Sequence, residues 1–146
     1  MERKRLPATK INELNKYDMT DPVTIDDSVR SAIGRIRDDP SDRVQALVGR
    51  LPDTGTVDRQ TECFSALANE DRVRILSILR EGECCVCELQ AALDAPQSTI
   101  ASHLRQLRDA GMINARKDGK WTYYRIADTA TLQLLDLAAA LGGNSE

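Results

Sequence analysis

From Val57 to Asp109 apolar residues return every three or four positions, and from Met112 to Ile126 two β-type runs flank Asp118 and Gly119. This pattern predicts a series of helices followed by a hairpin. Residues 57–68 form a first helix. Asn69, Glu70 and Asp71 supply capping groups for a second, with Val73, Leu76 and Leu79 on one face and Arg72, Arg74 and Arg80 pointing away; Glu81 and Gly82 end it. A third runs from about Cys85 to Asp94 and buries Val86, Leu89 and Leu93. The corner Asp94, Ala95, Pro96 stops it, because proline disfavours helical geometry in the residue before it. A fourth starts near Gln97 and ends at Gly111, which suits a left-handed C-terminal cap. Asp118 and Gly119 then join the two β runs as a hairpin pair. The last helix, Thr129 to Leu141, carries leucines on more than one stripe, among them Leu132, Leu135, Leu137 and Leu141. Such a helix is expected to be buried on more than one side, most simply across a dimer interface.

Helix, turn, helix, hairpin is the order of a winged helix. The expected fold class is therefore mainly α with a small β-hairpin: a dimeric winged helix-turn-helix over residues 57–141, an N-terminal helical extension over 1–56, and a short tail over 142–146. In the extension apolar residues are sparse and Pro7, Pro22, Pro40 and Pro52 punctuate the chain. Two stretches there have helical spacing, Ser28 to Arg37 and Ser41 to Leu51, with Ser41 as N-cap. They read as short amphipathic helices that dock on the main domain or a partner, with partial disorder as the alternative. Leu51 to Thr56 reads as a linker.

With 146 residues the chain can bury one ordinary core plus appendages. No apolar run approaches the roughly 20 residues of a membrane span. The basic start MERKRLPATK is followed by polar residues rather than by the apolar core of a signal peptide. A cytoplasmic protein without membrane contact is expected. In that compartment thiols stay reduced, so clustered cysteines point to metal ligands or redox sensors rather than to structural disulfides.

The net charge of −3 hides a local asymmetry. Between Gln97 and Ile126 six basic residues face two acidic ones, which concentrates positive potential on the fourth helix and the hairpin. On the helical wheel Ile100, Leu104 and Leu107 turn to the core, while Ser98, Ser102 and Arg105 occupy the opposite side and suit contacts in a DNA major groove. Gln97 and Thr99 join them because they stand near the helix N-terminus, the end that meets bases and phosphates. His103, on the flank, is a packing residue or a phosphate contact. Arg116, Lys117 and Lys120 surround the hairpin turn and suit the phosphate backbone. Trp121, Tyr123 and Tyr124 read as hairpin packing. The alternative for the helix is an ordinary solvated face; the adjoining basic hairpin argues for double-stranded DNA.

The segment ECCVCEL puts Cys84, Cys85 and Cys87 at the entrance to this helix-turn-helix. Three thiols beside a DNA reader point to a sensor of something thiophilic. A thiol redox switch is the alternative, and a set of small buried hydrophobes is the bland one. A small thiol-based reductase is a remote reading: Cys84 and Cys87 have C-x-x-C spacing, but the βαβ pattern is missing. No nucleophile with a plausible base and no phosphate loop supports an enzyme.

Taken together, the segments Phe64 to Leu79, ECCVCEL, and Ser98 to Ile113 resemble, in order and spacing, the metal- and metalloid-responsive repressors of the ArsR/SmtB family. The resemblance covers about residues 57–141 and implies a homodimeric repressor that binds operator DNA and leaves when an inducer binds. It places the family's thiolate pair on Cys85 and Cys87. The family's further cysteine is replaced here by Gln90, so Cys84, or the more distant Cys63, is the candidate third ligand. The family's zinc-type site on the last helix is not matched, since that helix offers Asp136 and no histidine. No permanently bound cofactor is implied; arsenic(III) or antimony(III) suits three thiolates as inducer, and cadmium or lead also fits. In a regular helix Cys85 and Cys87 diverge by about 200° while Cys84 and Cys87 share a face. Chelation by all three is thus expected to distort the first turn of the third helix and so disturb the DNA reader. The helix N-terminus is expected to lower the thiol pKa values, with Glu83 and Glu88 opposing it.

Overall fold

The computed structural model describes residues 24–143, which fall in two compact units dividing between Arg59 and Gln60. In the first unit Asp26 caps α1 (Asp27–Gly34), accepting from the Ser28 amide at 2.9 Å. Asp39 caps α2 (Pro40–Val48), accepting from the Asp42 amide at 3.1 Å. Ser41 is therefore not the N-cap: Pro40, which suits the first helical position, lies ahead of it. The Ser41 hydroxyl instead accepts from Arg30 Nη1 of α1. Helix α3 (Thr54–Leu67) starts inside the segment expected to be a linker. Asp53 explains the early start, since its carboxylate accepts from the Thr56 amide at 2.9 Å and from the Thr56 hydroxyl at 2.7 Å. Residues 1–23 of the extension and 144–146 of the tail lie outside the described residues.

In the second unit the end of α3 is followed by α4 (Glu70–Leu79), β1 (Cys84–Cys85), α5 (Val86–Leu93), α6 (Gln97–Asp109), β2 (Ile113–Asp118), β3 (Trp121–Ile126) and α7 (Thr129–Gly142). Asn69 caps α4, accepting from the Arg72 amide at 3.1 Å. The core gathers Ala66 of α3, Ile75, Leu76 and Leu79 of α4, Leu89 of α5, and Ile100, Leu104 and Leu107 of α6. Met112 and Ile113 close it at the base of the hairpin. Leu89 is fully buried, whereas Val86 and Leu93, expected beside it, are only partly so.

Arg72 departs most from expectation, being buried with 8% of its surface exposed. Its Nε donates to the Ala66 carbonyl at 2.6 Å and its Nη2 to the Ser65 carbonyl at 3.2 Å. One guanidinium thus satisfies carbonyls at the C-terminal end of α3, where backbone acceptors lack helical partners. Its Nη1 lies 3.4 Å from Nδ1 of His103 on α6. Arginine can only donate, so Nδ1 is the acceptor in that contact, and Nε2 lies 3.8 Å from the Asp71 carboxylate.

Gly111 ends α6 as expected, at φ 75°. Its amide donates to Arg108 O at 2.9 Å and the Met112 amide to Leu107 O at 3.0 Å, the paired bonds of a Schellman cap. The hairpin turn falls one residue later than expected: Asp118 pairs with Trp121, leaving Gly119 and Lys120 as the loop. A positive φ of 62° at Gly119 fits a type II′ turn, which needs it at the first central position. The sheet has three strands in the order β1-β3-β2, because Cys84 and Cys85 pair antiparallel with Tyr124 and Tyr123.

Helix α7 starts at its cap Asp128 and buries Thr131; Leu135 packs against the core, while Leu137 and Leu141 are exposed in the isolated chain. Arg80 does not simply face solvent but pairs with Asp136 of α7 at 2.8 Å. Among the described residues no helix is long and apolar enough to cross a membrane.

Replacing Arg72 by methionine keeps the buried stem but strands the Ala66 carbonyl and leaves the Ser65 carbonyl only the Ala68 amide at 3.3 Å. The expected loss is about 1.5–3 kcal/mol of stability in urea denaturation, against a few tenths for an outward-facing arginine.

Candidate nucleic-acid interface and cysteine segment

Helix α6 presents the polar face the sequence predicts. Ile100, Leu104 and Leu107 are buried, and Gln97, Ser98, Ser102 and Arg105 are exposed on the other side. Thr99 is half-buried. Pro96 at the N-cap offers no side-chain hydrogen bond, so the positive end of the helix is left to solvent or an anion near Gln97 and Ser98. His103 is set back from this face, its side chain 13% exposed between Arg72 and Asp71.

On the hairpin Lys117 and Lys120 are exposed, with Lys120 Nζ 5.6 Å from the centre of the Trp121 ring. Arg116 differs. It is gripped by Glu83 through Nε at 3.3 Å and through Nη2, lies 3.7 Å from Asp118, and stacks 5.0 Å from the Tyr123 ring centre. Arg116 in turn holds the Glu83 carboxyl below the usual carboxylate range.

The cysteine segment is not the helical turn that the sequence predicts. Cys84 and Cys85 form an extended strand, Cys85 is the N-cap of α5 with φ −87° and ψ 168°, and Cys87 alone of the three is helical. Cys84 and Cys87 therefore do not share a helical face, contrary to the expectation from helical spacing. Successive strand residues point to opposite sides. Cys84 packs against the core, its Sγ 3.9 Å from the Gly82 carbonyl, while Cys87 is exposed beside a shallow hollow lined by Gln90, Ala91, Asp94 and Pro96. Cys63 on α3 also packs, half-buried, against the core. All four cysteines are free thiols, and among the described residues no three His, Cys, Asp or Glu side chains are grouped to hold a metal ion.

Cys85 and Glu88 form a reciprocal capping box: the thiol faces the Glu88 amide and the Cys85 amide donates to Glu88 Oε1 at 3.0 Å. Sequence reasoning weighed Glu83 and Glu88 only as charges opposing the thiolates and missed both roles. The C-x-x-E spacing, with cysteine where serine usually stands, was the available signal for Glu88. The expected lowering of the thiol pKa values is reversed at Cys84 and Cys85. Burial, the Glu88 charge and Cys85 raise Cys84. For Cys85 the bond to the Glu88 backbone lowers the pKa, but desolvation, the Glu88 carboxylate and Cys87 outweigh it.

Two helices, α5 and α6, joined by a tight corner and followed by a hairpin with basic residues at its tip, define a winged helix-turn-helix, a class of DNA-binding domain. Residues 69–115 match the family model described as bacterial regulatory protein, arsR family. Over 85 residues the chain is 38% identical to the HTH-type transcriptional regulator MJ1325 of Methanocaldococcus jannaschii, covering 58% of this chain and 96% of that one. The arsenic resistance transcriptional regulator ArsR1 of Pseudomonas putida is 52% identical over 64 residues, 43% of this chain and 50% of the relative, so the chain spans about half that relative's length. Among solved structures, the homodimeric winged helix-turn-helix DNA-binding domain Mb0332 from Mycobacterium bovis is 29% identical with a TM-score of 0.59, covering 65% of this chain and 90% of that one. The chain belongs to the arsR family of bacterial regulatory proteins.

The capping box gives a paired test. Cys85→Ser keeps an acceptor for the Glu88 amide, whereas Cys85→Ala loses it, so the alanine variant should be less stable than the serine variant by about 0.5–2 kcal/mol in thermal or urea unfolding. The Glu88 carboxyl is held low first by the Cys85 amide. Its contribution is therefore present above the unfolded-state pKa and lost as pH falls through the folded value. An acid titration of stability should show a shallower loss in Glu88→Gln.

Proposed function

We propose that this protein is a DNA-binding transcriptional repressor, acting as a homodimer on double-stranded operator DNA and released when arsenic(III) or antimony(III) is captured by Cys84, Cys85 and Cys87. The observation that carries the reading is the double engagement of the cysteine strand. Cys85 is paired with Tyr123 of the wing and also caps α5, the helix that supports α6. Three thiols spread over a strand and a helical turn cannot converge while that pairing and cap persist, because Cys84 and Cys85 point to opposite sides of the sheet. Capture therefore strips β1 from β3 and opens the cap, and the wing and recognition helix lose their common support. Cys63 is the other candidate for the third thiolate.

On the DNA side Gln97, Ser98, Thr99, Ser102 and Arg105 enter the major groove, and Lys117 and Lys120 meet the phosphate backbone. His103 acts through packing that holds α6. The homodimer is supported by the exposed Leu137 and Leu141 of α7 and by the homodimeric Mb0332 domain. Inducer chemistry is supported by the likeness to an arsenic resistance regulator.

The upward pKa shifts of Cys84 and Cys85 weigh toward metalloid capture over a redox switch. Peroxide oxidation consumes thiolate. Arsenous acid, by contrast, condenses with three protonated thiols to give a tris-thiolate and three waters, with no net proton released. Cadmium and lead, the softer divalent alternatives, must displace the thiol protons.

A mobility shift on the DNA upstream of the protein's own gene tests this under reducing conditions, with arsenite, antimonite, cadmium, lead, zinc and an oxidant in separate arms. Arsenite and antimonite should release the DNA, with little change in potency as pH rises through neutrality, while any cadmium response should strengthen. Release by arsenite that persists in the Cys85→Ser, Cys87→Ser variant would exclude the site, and release by oxidant alone would exclude the inducer. Arg105→Ala should cost about 1–3 kcal/mol at one base position if it reads a base, and weaken all sequences alike if it holds a phosphate.

A further inference from the structure

The register of the sheet sets three side chains in one transverse row. Cys85 stands opposite Tyr123, and Tyr123 stands opposite Arg116. Directly opposed residues share a face of a sheet. The neighbouring row of Cys84, Tyr124 and Ala115 faces the other way, and its Cys84 and Tyr124 pack on the core. Cys85, Tyr123 and Arg116 therefore line the outer face. Glu83, two residues before Cys85, shares its side and closes the row by gripping Arg116 across β3. The guanidinium is thus answered inside the sheet by Glu83, the Tyr123 ring and Asp118.

We propose that Arg116 is a positioning residue of the wing rather than a phosphate contact, and that Cys85, Tyr123, Arg116 and Glu83 form the relay by which thiol capture is felt at the wing. The positioning half stands on the geometry alone; the relay half rests on the metalloid reading above. With β1 in place, the bidentate Glu83–Arg116 pair and the stacked ring fix β2 against β3 and the cysteine strand. When Cys85 turns toward a metalloid, Glu83 leaves with β1 and Arg116 loses its main partner. A two-residue strand has few backbone bonds to lose, and the charge pair adds a second connection between the cysteine strand and β2.

Two measurements on the full chain separate the halves. For duplex DNA each phosphate-contacting cation adds about 0.9 to the slope of log affinity against log salt. Lys120→Gln, which removes one contact from each subunit of the dimer, should lower that slope by about 1.8, whereas Arg116→Gln should leave it at the wild-type value. In the charge-swapped pair, Glu83→Arg with Arg116→Glu, affinity should return to within about threefold of wild type, although each single reversal loses about tenfold, as expected for a broken charge-assisted pair. A slope lowered by about 1.8 in Arg116→Gln, or a swapped pair as weak as Arg116→Glu alone, overturns the positioning role. For the relay, the chain's one tryptophan, Trp121, reports on the wing without DNA. Arsenite should change its emission in wild type and change it at most half as much in Glu83→Gln at equal arsenite uptake by thiol titration. An equal change in both overturns the relay. Failure of the wild-type chain to take up arsenite overturns the metalloid reading and the relay with it, and leaves the slope and swap results to decide the role of Arg116.

Discussion

Antiparallel pairing of Cys84 and Cys85 with Tyr124 and Tyr123 ties the three functional parts of the second unit together. Without it, α5 would begin at a loop, the wing would be a two-stranded hairpin, and the thiols would have no link to the wing. An isolated two-stranded ribbon is marginally stable in water, and even a short third strand restrains its twist. Here that strand also supplies the N-cap of α5 through Cys85 and the carboxylate that holds Arg116 through Glu83. Chemistry at the thiols cannot leave these contacts untouched.

The recognition helix is held from its other side by a different device. Arg72, buried beneath the C-terminal end of α3, satisfies the Ser65 and Ala66 carbonyls and meets His103 on α6. Burying a guanidinium is unfavourable unless its donors are matched, and three of them have acceptors here. The apolar contacts of Ile100, Leu104 and Leu107 fix which face α6 shows, and the Arg72–His103 contact adds a polar tie between helices that apolar packing alone would let slide. The second unit is thus tied at two places, through the β1–β3 pairing and through the core.

Most of the architecture was legible because it rests on local rules. Apolar spacing fixed the core face of α6, Gly111 marked its end, and the basic hairpin followed from two β-type runs around a glycine turn. Long-range partners decided the errors. A two-residue strand has no periodicity, so the pairing of Cys84 and Cys85 with β3 could not be seen, and Cys85 was assigned to the helix it caps. Arg72 looked outward on a wheel because the carbonyls that draw it inward belong to the preceding helix. The dipole of α5 predicts lowered thiol pKa values, and those of Cys84 and Cys85 rise because burial and Glu88 act at closer range. At the wing, sequence counted Arg116 as free positive charge, since Glu83 lies 33 residues away along the chain.

Amide hydrogen exchange, residue by residue and with and without arsenite, tests the central claim most directly, because it reads the β1–β3 pairing itself. On arsenite addition the amides of the β1–β3 pairing should lose protection, while those shared by β2 and β3 and those within α4 and α6 keep theirs. Retained protection at the β1–β3 amides in arsenite-loaded protein, or a loss spread evenly through the core, would contradict a signal that starts with the release of this strand.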